Sequence, residues 1–252
     1  MKLTLTTNSR LLYSMLCLLF FASTDTFAGT AGNIVNFPEK GNLTAGYEYT
    51  KVENRDIIEY DSGPEALWIV DSSERNLGKI SYGVKENIAL DFLFGEATLD
   101  LEAENAPGDP GMKFDKGNTW GLGIRLKLFD DPQRNLAGGA GIQYRHFCND
   151  NAVRYDKKHP FSSKSEEWHL SLDIAKKIRK FSLYGGIRYS ESTIPYTHYG
   201  LPGIERIGGF KERNNFGMAV GGEFKIAGGL SLCMEKRFID EDAYTLGIYL
   251  AF

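Results

Sequence analysis

The chain has 252 residues, of which 25% are charged, with a net charge of −4 and a mean hydropathy of −0.30. That balance excludes a bundle of membrane-spanning helices, which needs several apolar runs of roughly 20 residues. It also gives no electrostatic case for nucleic acid. The length fits one large all-β domain or two small ones.

One apolar run opens the chain. Lys2 and Arg10 supply a basic region, Leu11 to Ala22 is apolar, and Thr26-Phe27-Ala28 is a small-x-small site ahead of Gly29. This pattern is that of a secretory signal peptide over residues 1–28, removed on export. Met15 and Leu16 before Cys17 are too large for a lipoprotein signal. Residues 29–40 then form a short arm ending in Phe37-Pro38.

Period-2 segments follow. Asn42–Val52 places Leu43, Ala45, Tyr47 and Tyr49 on one face. After a polar loop, Glu53 to Pro64, a second strand lies within Glu65–Val84, with Ile80, Tyr82 and Val84 apolar. The third starts Ile88, Leu90, Phe92, Phe94. Its apolar phase then slips to Leu99 and Leu101, which predicts a β-bulge at Gly95. Asn105 to Gly117 is a Gly/Pro/Asp-rich loop. The fourth alternates Trp120, Leu122, Ile124, Leu126 and Leu128 with Gly121, Gly123, Arg125 and Lys127, and the fifth carries Leu136, Ala140, Ile142 and Tyr144.

Cys148 to Lys164 is a long polar loop. Trp168 to Ile174 is the sixth strand, and a basic turn, Lys176 to Lys180, leads to the seventh at Phe181 to Tyr189. Ser192 to Arg213 is the longest loop. Phe216–Ile226, Leu230–Phe238 and Ala243–Phe252 complete ten strands. Short turns recur roughly every 47 residues, a period that also occurs in propellers, but no Trp-Asp or kelch signature accompanies it. Cys148 and Cys233 fall on opposite walls of such a sheet, beyond the Cα separation of about 7 Å that a disulfide allows. Unbridged thiols are expected.

The final strand puts Tyr244, Leu246, Ile248, Leu250 and Phe252 on one face. With Thr245, Gly247, Leu250 and Phe252 it resembles the closing-strand signal of bacterial outer-membrane β-barrels. The resemblance covers nearly the whole mature chain, here residues 41–252, and is nearest to the small OmpA-like and OmpW-like barrels without fixing a subfamily. It implies a barrel-assembly machinery that reads this strand, a location in the cell outer membrane, contact with membrane lipid and lipopolysaccharide, and a monomer.

Alternation alone does not choose the outer face, because a soluble lipocalin-like barrel shows the same pattern. Short turns alternate with long loops except at the last hairpin, both ends lie on the short-turn side, and aromatic residues mark strand ends. These features select an all-β, closed, antiparallel up-and-down transmembrane barrel of about ten strands, with eight as the alternative count.

The inward face then carries Glu48, Lys79, Asp91, Arg125, Lys127, Arg145, Asp173, Arg188, Glu223, Lys225, Glu235 and Arg237. Charges of both signs in a narrow lumen are expected to pair and plug it, or else to line a narrow pore. The role expected is therefore structural or surface-exposed, or that of a narrow passive path for small solutes. An enzyme is the alternative class. His169 and Ser171 have the His-x-Ser spacing of lipid A deacylases and face the same way, but Leu172 stands where those enzymes have Asn. Among proteases of similar size, acidic and His residues stand above the membrane; His159 and His198 lie in loops here without a matching acid motif. A third class is adhesion through the Ser192–Arg213 loop. No cofactor or metal motif is present.

Overall fold

The computed structural model describes residues 34–60, 66–104, 111–154, 160–199 and 205–252. The expected signal peptide at 1–28 lies outside the described residues. Among the described residues the chain is entirely strand and turn: β1 (Leu43–Glu53), β2 (Arg55–Tyr60), β3 (Ala66–Lys85), β4 (Ile88–Ala103), β5 (Met112–Asp131), β6 (Leu136–Arg154), β7 (Pro160–Ile178), β8 (Phe181–Tyr199), β9 (Glu205–Glu212), β10 (Phe216–Ala227), β11 (Leu230–Phe238) and β12 (Asp242–Ala251).

Two closed rings share six strands. The lower ring has ten: β1, β3 to β8 and β10 to β12, all paired antiparallel. The last strand closes on the first in the register Thr50↔Thr245, Glu48↔Gly247 and Ala45↔Leu250. Phe252 N–H donates to the Leu43 carbonyl at 2.8 Å, so pairing runs to the last residue. The upper ring has eight. Above the ends of β1 and β10–β12, β2 pairs with the upper half of β3 and with β9, and β9 pairs with the upper half of β8. The barrel therefore narrows from ten strands to eight.

The upper ring corrects four expected loops. Residues 53–64 carry β2, and 192–213 carry the top of β8 and all of β9. The 105–117 and 148–164 segments contribute strand to β5, β6 and β7. These stretches hid because their polarity runs the other way round.

In the lower ring the faces are inverted. Ile80, Phe92, Leu122, Leu172, Leu183, Val220 and Leu232 face outward and are more than 40% exposed, whereas Glu48, Asp91, Arg125 and Arg188 face inward and are buried. Aromatic rings rim this apolar belt. Trp120, Tyr144 and Trp168 form a run at its upper edge, with centroids 5.6 and 4.9 Å apart, and Tyr189 meets Phe216 at 5.2 Å. Phe181 and Phe224 mark the lower edge at 4.7 Å. In the upper ring the ordinary polarity returns. Ile57, Trp68, Val70, Leu101, Phe114 and Phe210 pack into one buried core inside it.

β4 shows the change on a single strand. Ala89, Asp91, Leu93, Ala97, Leu99 and Leu101 all face inward without a break in phase. No bulge lies at Gly95, contrary to expectation. The apolar set moves from the outer face to the inner one as the strand leaves the belt, and that looks like a slip in the sequence. Gly95 serves a close approach instead: a Cβ there would lie 1.9 Å from the Asn76 carbonyl oxygen of β3. The register shifts sit on the neighbours, at Val70/Ser72 of β3 and opposite Ala97/Leu99 on β5.

The end of the arm turns into the lower mouth. Ile34 is buried against Ala175 and Tyr184, in space that Gly139 leaves by having no side chain. The Asn36 carbonyl accepts a 3.0 Å bond from Arg125, and the Phe37 ring lies 5.6 Å from the Arg125 guanidinium and 5.1 Å from the Lys127 ammonium.

Candidate functional site: a layered lumen

Inward residues of the lower ring meet because the period of a strand sets every second side chain into the lumen. On one wall Arg125 holds Asp91 through two nitrogens, at 2.8 Å each. Lys79 bridges Asp91 and Glu48, and Glu48 accepts a 2.6 Å bond from the Tyr249 hydroxyl. On the other wall Arg188 lies between Glu235 (2.9 Å) and Asp173 (3.4 Å), and the Tyr184 hydroxyl donates to Glu235 at 3.0 Å. Arg145 donates to the Gln143 side chain at 2.8 Å. Glu223 is buried low on the wall. Lys127 and Lys225 stand apart from this set. Lys127 sits at the lower mouth with Asp130, and Lys225 is exposed at the rim.

A denser layer lies above, where ten strands become eight. Glu167 takes Arg75 in a two-pronged pair at 2.6 and 2.7 Å and Arg55 at 3.1 Å. Arg55 also pairs with Glu212 and reaches Glu241 at 3.6 Å. Arg237 closes the layer onto Glu241 at 2.5 Å. The Ser190 hydroxyl lies within hydrogen-bond distance of Glu212 and Asp240. Arg55 and Arg237 each have more than one anion within reach and Arg75 is held by a two-pronged pair, which offsets the cost of taking so many charges out of water.

The turn between β11 and β12 delivers two of these acids. Ile239, a β-branched residue, is held at φ 91°, a backbone conformation that costs about 1–3 kcal/mol. That bend folds Asp240 and Glu241 inward, and Gly217 leaves room for the Asp240 carboxylate. Burial drives the Glu241 carboxyl upward, but the Arg237 and Arg55 guanidiniums outweigh it and hold the group at about 2. Asp240 is raised, first by burial and then by Glu241 beside it.

Between this layer and the apolar core is a cavity of about 30 Å³, lined by Arg55, Arg75, Glu167, Leu77, Leu99 and Phe147. It has room for one or two waters. The lumen thus reads upward as arm, ion pairs, a small polar-edged gap and an apolar stopper.

Arg55, Arg75, Glu167, Glu212, Asp240 and Glu241 were not legible as a site. Glu167 was findable, since it shares the phase of His169, Ser171 and Asp173. Arg55 and Glu212 fell in stretches that read as loops. His169 and Ser171 do face the same way and are buried. His169 Nε2 lies 3.3 Å from Glu167, and no hydrogen bond joins it to Ser171. Cys148 and Cys233 are not bridged. Among the described residues no group of His, Cys, Asp and Glu could hold a metal ion.

An outward apolar belt with aromatic rims, around a closed and inwardly charged ring, defines a membrane-spanning β-barrel. Its fold is that of the bacterial outer-membrane barrels. The chain is similar to the outer-membrane protease OmpT of Escherichia coli, with a TM-score of 0.54 and 15% identity over 91% of this chain and 100% of that one. It is also similar to AlkL (TM-score 0.49, 14% identity, 91% and 97% covered) and to OprG of Pseudomonas aeruginosa (0.48, 11%, 86% and 99%). No protein-family model matches the chain, and no curated protein matches it in sequence. Likeness at these identities shows the fold alone.

Proposed function

We propose that this chain is a sealed outer-membrane barrel whose task is to hold an eight-stranded collar above the membrane, a structural or surface-exposed role rather than a transport path. The observation that carries the reading is the apolar core inside the upper ring, where Phe114, Phe210, Leu101 and Ile57 are at most 1% exposed. A passage for solutes would have to cross that core. Below it the ion pairs of the rim layer and the N-terminal arm obstruct the same path twice more. The reading assigns no catalysis, because His169 is engaged by Glu167 and lies beneath the stopper. The collar's outer face carries charges of both signs, such as Asp56, Asp100, Glu102, Lys113 and Lys211, which suits a surface bathed in water and headgroups.

The test is conductance of the refolded chain in a planar bilayer. The intact barrel should be silent. Phe114→Gly with Phe210→Gly, in a chain whose Ile34 and Phe37 are also changed to Gly and whose rim pair is opened by Arg75→Ser with Glu167→Ser, should produce discrete steps while the barrel stays folded. Steps from the intact chain would overturn the reading in favour of a narrow pore.

A further inference from the structure

The outer face of the belt is not uniform. β6 presents Gly138 and Ala140 where its neighbours present Leu126, Leu172 and Ile174. The Phe129 ring covers Gly138, but over Ala140 the surface is hollow. The hollow is an apolar groove of about 440 Å³, walled by Leu126, Leu172 and Ile187 and bounded by Tyr189 and Phe216 toward the upper rim. On β8, Gly185 faces outward opposite Ile174 and keeps the approach from below low. Packing does not demand a glycine there, since a Cβ would meet nothing nearer than 3.6 Å.

Directly below, a cluster of cations occupies the short-turn end. Lys176 follows Leu172 and Ile174 on the same outer face. Arg179 and Lys180 come from the β7–β8 turn; Lys176 donates to the Arg134 carbonyl of the β5–β6 turn on one side, and Lys180 reaches the Ile226 carbonyl of the β10–β11 hairpin at 3.4 Å on the other, so the cations line the rim. The run 176–180 is Lys-Lys-Ile-Arg-Lys, without an acid. Asp130 and Asp131 of the neighbouring turn are engaged by Lys127 and Arg134. Among the described residues no carboxylate pairs with Lys176, Arg179 or Lys180.

The two features are spaced for one molecule. Four residues of strand separate Lys176 from Leu172, about 13 Å. A lipid with its phosphate at this rim sends an acyl chain past Ile174 and Gly185 and lays its end over Ala140, near the middle of the belt. We propose that the β5–β8 wall binds an anionic phospholipid of the leaflet on the short-turn side, with its phosphate on Lys176, Arg179 and Lys180 and one acyl chain in the groove. Basic clusters at a membrane surface attract anionic headgroups at about 1 kcal/mol per Lys or Arg, so loss of two cations should weaken retention roughly thirtyfold.

The test is native mass spectrometry of the refolded chain taken from vesicles of phosphatidylcholine alone and of phosphatidylcholine mixed with phosphatidylglycerol. One phosphatidylglycerol should stay bound and phosphatidylcholine should not. Lys176→Gln with Lys180→Gln should reduce retention roughly thirtyfold, and Ala140→Phe should abolish it with the cations intact. Folding is checked by heat-dependent gel mobility, and Ala140→Leu serves if the larger residue blocks folding. Equal retention of both lipids, no retained lipid, or retention unchanged in the folded variants would overturn the proposal. So would a dimer, rather than a lipid, lost on filling the groove.

Discussion

Glu167→Gln is the sharpest test of the rim layer. The carboxylate accepts two bonds from Arg75 and one from Arg55, and its side chain is 11% exposed. Glutamine keeps the shape but removes the charge. Arg55 retains Glu212 and Glu241, whereas among the described residues no second acid pairs with Arg75. Removing one partner of a buried pair costs about 3–5 kcal/mol, because the remaining charge is left uncompensated. Arg75 sits beside a cavity that admits one or two waters, so the lower end, about 3 kcal/mol, is the expected loss. Urea unfolding of the barrel from phosphatidylcholine vesicles, followed by Trp fluorescence, measures it. Lys116→Ala is the control, since the Lys116–Glu96 pair is exposed on both sides and should change stability little. Replacing both partners, Arg75→Met with Glu167→Met, should recover much of the loss. A loss below about 1 kcal/mol for Glu167→Gln would refute the claim that the layer depends on compensated charge.

Phe114→Ala removes a fully buried ring from the upper core and should cost about 3–5 kcal/mol. Hydrogen exchange should show the loss in β2 and β9 and the upper halves of β3 to β8, with β10–β12 unchanged; uniform loosening would mean the two rings are one cooperative unit. Ile239→Gly relieves the positive φ and should leave stability equal or up to about 1 kcal/mol higher, as thermal unfolding would show. Deleting Phe252 removes one backbone bond and a 65% exposed ring, so refolding in vitro should be nearly normal while outer-membrane assembly in cells fails; normal assembly would count against the closing-strand signal. Glu241, held below the ordinary carboxylate range, contributes stability that is present above about pH 4.5 and lost as pH falls toward 2. Raised Asp240 acts in the opposite sense, so Glu241→Gln should flatten the acid limb of stability against pH and Asp240→Asn should steepen it.

The lower ring was readable because one physical rule governs it throughout. Lipid outside and charge inside give strict alternation, as in Trp120 to Leu128, and closure follows from the need to pair every backbone group in the membrane. The last strand was readable for the same reason. The inward charges were readable as residues but not as pairs: alternation put Asp91, Arg125 and Lys79 in the lumen, whereas only the register of β3, β4 and β5 brings them together. Lys127 and Lys225 obey the same period yet stand at the lower mouth, because a period says which face a residue takes and not how far along the wall it sits.

The upper ring was hidden by a change of solvent along single strands. β4 keeps one phase from Ala89 to Leu101, but its outer face passes from Leu90, Phe92 and Phe94 to Glu96, Asp100 and Glu102. Read with one rule, that is a bulge and then a loop. Read with two, it marks the height at which the strand leaves lipid and enters water. The same crossing explains the rim layer. At that height the ring must exchange an inner face that is charged for one that is apolar, and it must lose two strands as well. Arg55, Arg75 and Arg237 with Glu167, Glu212 and Glu241 fill the step between those two interiors. Asp240 and Glu241 are brought there by a turn that accepts backbone strain to do so. A junction of this kind is set by distance along several strands at once, which is why no single stretch of the chain announces it.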